Sequence, residues 1–303
     1  MPQLSAAARR AIIRVGESER TYLAYVPAGL MPHSPLVLVL HGGLMDGEMM
    51  RRGTGYEFDV LADRHGFAVV YPDGYEGNWN DCRRTDAYPA KRLNIDDMGF
   101  LRAVIARLRA ENDIDPTRVF AMGYSDGGEM AHRLAIEAPA EIAAIAAVEA
   151  NLPAATDFIC VPAGQPSRAM ILSATDDPIM PYNGGEISVY GLTPGRGLMR
   201  SAQQTVEYYV AAHGLDGGGT TVSLPHNHRG DPTSVERTVW ARDGSQGVVF
   251  YKINGGGHVV PQPVYRWPRF LGRTTEDLNA PIAIWEFFVQ AAGAQLKSTR
   301  SGQ

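Results

Sequence analysis

The sequence predicts an α/β fold built on a mostly parallel central sheet with helices on both faces. Three observations carry that prediction. Short runs at residues 36–40, 67–71, 119–122, 169–172 and 248–253 are apolar at nearly every position, the pattern of strands covered on both sides. Segments with helical periodicity separate most of them, as crossover connections between parallel strands require. One strand-to-helix junction contains Gly123-Tyr124-Ser125-Asp126-Gly127, a sharp turn that presents a serine above the sheet edge.

The elements follow in order. Residues 36–40 read as a fully buried strand. Phe58, Leu61, Ala62 and His65 recur at helical spacing, with His65 read as a packed core residue, and Gly66 stops that helix. Residues 67–71 are the next strand. Leu101, Val104, Ile105 and Leu108 mark one face of a helix beginning near Asp96 and Asp97, acids that suit its positive end. The strand at 119–122 runs into the serine turn, and the helix after it ends near Pro139. Strands at 142–148 and 169–172 follow. Ser201 caps a helix with Val206, Tyr209 and Val210 inward, closed by Gly214. A strand at 248–253 and a helix carrying Ile284, Phe287 and Phe288 finish the fold. The whole reads as one domain over residues 1–303, with a core at about 20–290 and frayed ends at 1–20 and 295–303. The polar, Gly- and Pro-containing stretches 184–197 and 226–234 read as loops that shape a substrate site.

Composition narrows the functional classes. Charged residues are 20% and hydrophobic residues 45%, ordinary for a globular protein. A net charge of −5 without basic runs argues against a nucleic-acid partner. No apolar stretch reaches membrane-spanning length, so no membrane partner is expected. The first twenty residues lack the apolar core of a signal peptide, which reads as a cytoplasmic protein or an exported one without its leader. Cys82 and Cys160 leave two readings open, separate thiols or one disulfide.

A serine hydroxyl becomes a nucleophile only with a base to take its proton and an acid to orient that base. Ser125 is the candidate nucleophile. Asp177 is the candidate acid, with Asp176 as rival, in the loop after strand 169–172. His258 is the candidate base, following three glycines that free the backbone to place an imidazole. The order Ser, Asp, His, each after a strand, is that of α/β-hydrolase enzymes. Two backbone N–H groups must meet the oxyanion. One is expected from Asp126, the other from Leu44 or Gly43 in the His41-Gly42-Gly43-Leu44 loop. His41 reads as structural. His226 and His228 read as a solvated loop without a third metal ligand. No metal or organic cofactor is expected.

With these motifs in place, the chain resembles the esterase family of polyhydroxybutyrate depolymerases and of the feruloyl and acetyl-xylan esterases of carbohydrate esterase family 1. The resemblance is carried by His41-Gly42-Gly43, by Ala62-Asp63-Arg64-His65-Gly66-Phe67 leading to Tyr71-Pro72-Asp73-Gly74, and by Trp79-Asn80. It continues through Asp96 to Leu101, the serine turn, Asp177-Pro178 with Pro181-Tyr182 and Gly184-Gly185, Gly255 to His258, and Gly272 to Thr275. It implies an α/β-hydrolase fold and a serine ester hydrolase with Ser125, Asp177 and His258 as triad. The implied substrate is a small or polymeric ester, either a short-chain hydroxyalkanoate or a feruloyl or acetyl ester of polysaccharide. It also places Trp79, Asn80 and Tyr182 as substrate-binding candidates. For Trp79 and Asn80 a purely packing role is the equal alternative. Three departures stand out: Asp126 where asparagine is frequent, Val259-Val260 where Thr-Trp follows the histidine, and Ser173-Ala174 before the acid loop. The carboxylate of Asp126 would oppose an oxyanion unless it turns away, and Tyr265 or Trp267 could replace the missing tryptophan. The rival readings are a prolyl-oligopeptidase-like peptidase, which lacks room here for a propeller domain, and a binding protein that keeps the fold without catalysis.

Overall fold

The computed structural model describes residues 2–300 except 86, 190, 191, 193, 194, 216, 217, 227, 229, 243 and 244, with backbone alone at 245, 246 and 294–300. Parts of the two expected substrate loops, 184–197 and 226–234, and the end 301–303 therefore lie outside the described residues.

The chain begins with an antiparallel hairpin, β1 (Arg9–Val15) and β2 (Ser18–Tyr25), and then enters the sheet centre at β3 (Ser34–Leu40). Helices α1 (Gly47–Gly53) and α2 (Glu57–His65) lead to β4 (Ala68–Pro72). Helices α3 (Pro89–Arg92) and α4 (Asp97–Asn112) lead to β5 (Ile114–Tyr124), which turns at Ser125 into α5 (Asp126–Glu137). Strands β6 (Ala144–Val148) and β7 (Arg168–Ala174) follow, then a small ribbon of β8 (Gly185–Glu186) and β9 (Leu198–Met199). Helix α6 (Ala202–Ala212) precedes β10 (Thr220–Ser223), β11 (Ser234–Arg242) and β12 (Ser245–Asn254), and α7 (Ala280–Arg300) ends the chain.

The main sheet has ten strands in the order β1-β2-β4-β3-β5-β6-β7-β12-β11-β10. The six from β4 to β12 pair in parallel, and the strands outside them pair antiparallel. Every residue of β3, β4 and β6 is buried, because helices cover both faces. Apolar side chains alternate between two cores: Leu36, Leu38 and Leu40 point to one, Val37 and Val39 to the other. Such a strand has no polar face, which is why the unbroken apolar runs were diagnostic.

The ends differ from expectation. Residues 5–20 are not a frayed tail, since β1 and β2 pair over seven residues and Ser5 binds Asp63. Residues 295–300 continue α7 as helix rather than fraying. His65 is exposed and lies against Trp285 at 5.6 Å instead of packing in the core. Other local predictions match the observed caps. Asp96 accepts from the Gly99 N–H at the start of α4, Ser201 and Gln204 form a reciprocal cap on α6, and Gly66 ends α2 with φ 69°.

Candidate active site

The junction between β5 and α5 is strained. Ser125 has φ 54° and ψ −125°, a region non-glycine residues avoid and that persists only where surrounding structure enforces it. Enforcement comes from close backbone approach. A Cβ on Gly123 would collide with the Gly127 carbonyl, and one on Gly127 with the Leu40 and His41 carbonyls. The Ser125 N–H donates to Val148 at 2.9 Å, tying the turn to β6.

His258 comes from the loop after β12. The Gly257 backbone packs so closely on Leu271 and Gly272 that no side chain fits, and Tyr124 Oη donates to the His258 carbonyl at 2.8 Å. This places His258 Nε2 2.9 Å from Ser125 Oγ and Nδ1 2.6 Å from Asp177 Oδ2. Asp177 Oδ1 accepts from the N–H groups of Ile179 (2.7 Å) and Met180 (2.8 Å), which holds the carboxylate still. Asp176, the rival acid, meets Thr175 Oγ1 and makes no contact with the imidazole among the hydrogen bonds described. The side chains of His258 and Asp177 are buried, and Nδ1, facing the carboxylate, carries the proton, which leaves Nε2 as acceptor for the serine hydroxyl.

The loop after β3 supplies the second wall. Gly42 O accepts from Met45 N–H at 3.2 Å, closing a turn with Leu44 at φ 61°. The Leu44 N–H donates to Gly77 O at 2.7 Å and is therefore not available to an oxyanion, which removes Leu44 as a candidate donor. Among the hydrogen bonds of the described residues, the N–H groups of Gly43 and Asp126 have no acceptor. A Cβ on Gly43 would lie 3.8 Å from that of Asp126, so the two residues sit side by side at the serine turn. His41 holds this loop. Its Nε2 accepts from the Gly74 N–H, so Nδ1 carries the proton and donates to Gly42 O, each at 2.8 Å. Burial keeps the ring neutral by lowering its pKa.

The Asp126 carboxylate turns away from the serine. Oδ2 accepts from the Trp79 N–H at 2.9 Å, and Oδ1 lies 3.6 Å from Arg83. Arg83 reaches Glu129 at 2.8 Å, and Lys91 reaches Asp81 at 2.7 Å, all buried. Burial, then the charge of Asp81, pushes the Asp126 pKa up to about 7 against the opposing pull of Arg83. Carboxylate oxygens of Asp81, Asp126 and Glu129 come within 4.8 Å of one another, a spacing a cation could bridge. Two side-chain cations already sit among them, so the set fits an ion network better than a metal site.

Two of the three substrate-binding candidates are buttresses. Trp79 is fully buried and donates its indole N–H to His41 O at 2.9 Å. The Asn80 amide donates to Asn94 Oδ1 (3.0 Å) and Ile95 O (2.9 Å). Tyr182 packs, half-buried, on the core beside α6 and does not line the cleft. Beyond Gly43, Leu44, Ser125, Asp126 and His258, and apart from Tyr265 and Trp267, the residues that do line it came from positions the motifs did not single out. The cleft holds about 570 Å³ over Ser125 and His258. Its walls include Met45, Met49, Ile187 and Phe270, with Arg52 and Arg196 as cations. Its signal in the sequence was the 184–197 stretch, which contributes Ile187, Val189 and Arg196. Described residues of the 226–234 loop do not line it. His226 and His228 instead pair with Asp277 (2.7 Å) and Glu276 (2.9 Å). Cys82 and Cys160 form a disulfide.

The sheet order and the serine turn after β5 are those of an α/β-hydrolase fold. Residues 20–155 match the model of the esterase PHB depolymerase family. The chain is 30% identical over 262 residues to the protein named "Putative esterase NocK" of Nocardia uniformis subsp. tsuyamanensis, covering 84% of this chain and 74% of that protein. It is 27% identical over 256 residues to poly(3-hydroxyalkanoate) depolymerase C of Paucimonas lemoignei, covering 78% of this chain and 58% of that one. Feruloyl esterase C of Emericella nidulans is 27% identical over 175 residues, 55% of this chain and 58% of that one. The solved acetyl xylan esterase from Aspergillus awamori superposes with a TM-score of 0.62 over 93% of this chain and 99% of its own, at 15% identity, which speaks to the fold alone. The chain belongs to the esterase PHB depolymerase family and is a carboxylic ester hydrolase.

Proposed function

We propose that the chain hydrolyses esters through an acyl-enzyme on Ser125, with His258 as general base and Asp177 as the acid that orients it. The single observation that carries this is the continuous chain of contacts from Ser125 Oγ to His258 at 2.9 Å and from His258 to Asp177 at 2.6 Å, on a strained serine turn. His258 Nε2 takes the hydroxyl proton as Ser125 attacks the ester carbonyl. The N–H groups of Gly43 and Asp126 hold the tetrahedral oxyanion. The imidazolium returns its proton to the leaving alcohol, and water then repeats the cycle to release the acid. Asp177 stays ionised throughout.

The cleft supports a hydroxyalkanoate ester as first substrate. Met45, Met49, Ile179, Ile187 and Val189 form a flexible aliphatic wall. Arg52 and Arg196 suit the free carboxylate at the end of a hydroxyacid oligomer. A feruloyl ester is the second reading, favoured by Tyr265 and Trp267, whose rings meet edge to face at 5.3 Å in the same cleft. An acetyl group alone would leave most of 570 Å³ unfilled. Ser125→Ala is expected to lower kcat by about a thousandfold or more and to abolish fluorophosphonate labelling, with the fold intact. Near-normal activity would refute the nucleophile. Hydroxybutyrate oligomers, methyl ferulate and acetylated xylan assayed side by side decide the substrate.

A further inference from the structure

We propose that Glu149 is a positioning residue of the triad, its protonated carboxyl group donating a hydrogen bond to Asp177 from the side opposite His258. The proposal rests on the triad reading above and extends it by one group.

Glu149 follows β6, the strand between the serine strand and the acid strand. It is 1% exposed, and φ is 49°. Its N–H donates to Leu172 O and its Oε2 accepts from the Ala174 N–H, both at 2.9 Å, so backbone and side chain are clamped to the end of β7. From there the carboxyl faces Asp177, and its Oε1 is buried with no donor to meet it. Two carboxylates cannot hydrogen-bond to one another; the contact is favourable only if one of them carries a proton.

Counting donors shows which one. Asp177 already receives three N–H groups: His258 Nδ1 on Oδ2, and Ile179 and Met180 on Oδ1. Each favours its anion. Glu149 receives one, from Ala174 on Oε2, and its Oε1 meets no donor. The proton therefore resides on Glu149 and the charge on Asp177. Burial, and then the charge of Asp177, raise the Glu149 pKa well above the usual carboxylate range, in the same direction. The ionisable groups around the pair are His258 from the β12 loop and Tyr124 from β5. Tyr124 is itself pushed up by burial, then by Asp177 and Glu149. Against these stands the Ala174 N–H, which favours the Glu149 anion but is one donor against the three on Asp177.

A neutral acid in this place does two things. It gives Asp177 a fourth donor, fixing the rotamer that meets Nδ1. It also spreads the Asp177 charge, so the carboxylate stabilises the imidazolium no more than turnover can tolerate. Losing the donor concentrates charge on Asp177 and raises the proton affinity of both Asp177 and His258.

The test uses two variants of the whole chain. Glu149→Gln keeps an oxygen for the Ala174 N–H and an N–H for Asp177, and cannot ionise. Its kcat is expected within about threefold of wild type, with an unshifted pH profile. Glu149→Met keeps the volume and loses the donor. Its kcat is expected to fall about tenfold or more with KM little changed, and the acid limb of kcat/KM to move up by about half a unit or more. A merely structural role would lower stability in the methionine variant without moving that limb. An unmoved limb in a folded Glu149→Met, or a Gln variant as impaired as the Met variant, overturns the proposal. Should Glu149→Met not fold, stability against pH decides between wild type and Glu149→Gln. A raised carboxyl costs the wild type stability as pH climbs above its unfolded value, so the Gln variant gains relative stability with pH; parallel curves overturn the proposal. Full activity in Ser125→Ala would instead defeat the triad reading itself, which keeps the two failures apart.

Discussion

Asp126 ties stability to pH through a group beside the reacting atoms, and Asp126→Asn tests the connection. The carboxyl is buried, with its pKa lifted from 3.8 to about 7 by burial and by Asp81. Between those values the unfolded chain ionises while the folded chain holds its proton. The stability that the neutral form provides is thus fully present below pH 3.8 and lost as pH rises through 7. A lift of about 3 units corresponds to about 4 kcal/mol lost by pH 8, an upper bound because Glu129 and Asp81 share the titration. Asparagine keeps the acceptor for the Trp79 N–H and cannot ionise. The stability of the variant relative to wild type should therefore grow with pH, by about 1.5 kcal/mol or more between pH 4.5 and 8.5, read from urea unfolding. Turnover should respond as well. A carboxylate on the order of 6 Å from the oxyanion opposes it by about 3 kcal/mol at an effective dielectric of 20, and Arg83 cancels roughly half. That leaves about tenfold, so Asp126→Asn should outpace wild type about tenfold at pH 8.5 and match it near pH 5.5. A stability difference flat within about 0.5 kcal/mol across the range would refute the reasoning, because the charge would then be no burden to the fold.

Three further outcomes follow from the geometry. Gly43→Pro occupies the second position of the Gly42–Met45 turn, where proline's φ is at home, and removes the N–H. It should lower kcat about 10²- to 10³-fold, and an active variant would place the second oxyanion donor elsewhere. Leu44→Gly should leave turnover within a few-fold, because that N–H is spent on Gly77, and should raise Tm by relieving the left-handed backbone; a Tm that falls argues against strain there. Cys82 and Cys160 close a loop of 78 residues, so replacing both with serine should cost about 4.5 kcal/mol, or about 7 °C in Tm for a chain of this length. If dithiothreitol leaves the wild-type Tm unchanged, the bridge contributes nothing.

What the sequence made legible divides along physical lines. Central strands announce themselves because burial on both faces allows only apolar residues, and the serine turn because its backbone approach admits only glycine at 123 and 127. The hairpin at 9–25 was missed for the opposite reason. One edge of it faces water, so Arg9, Arg10, Ile13 and Arg14 carry no unbroken apolar run. Ser125, Asp177 and His258 were legible as motifs set after strands, and the structure brings them within contact of one another. Glu149 was not legible, since a single acid after an alanine-rich strand looks like a surface residue until the fold lays it against Asp177.

Trp79 and Asn80 show why a motif beside a site need not touch the substrate. The segment they belong to carries Trp79, whose main-chain N–H holds Asp126 and whose indole holds His41 O. Asn80 N–H is held by Asp97, which also pairs with Arg20, and the Asn80 carbonyl accepts from Arg133. Cys82 bonds the segment to Cys160, and Arg83 meets Glu129 beneath Ser125. Asp126 and the His41-to-Gly43 loop are the two proposed sources of oxyanion donors, and this one segment grips both. Preorganised donors stabilise a transition state only if they need not move when charge develops. A rigid, cross-linked strap under the cleft meets that requirement in a way an aromatic wall inside the cleft would not. It also accounts for the titratable groups buried there: Arg83 and Lys91 are paired with Asp81, Asp126 and Glu129, and losing the strap's one buried aspartate, Asp81, would leave Lys91 a lone charge under the serine, at a cost of about 3–5 kcal/mol.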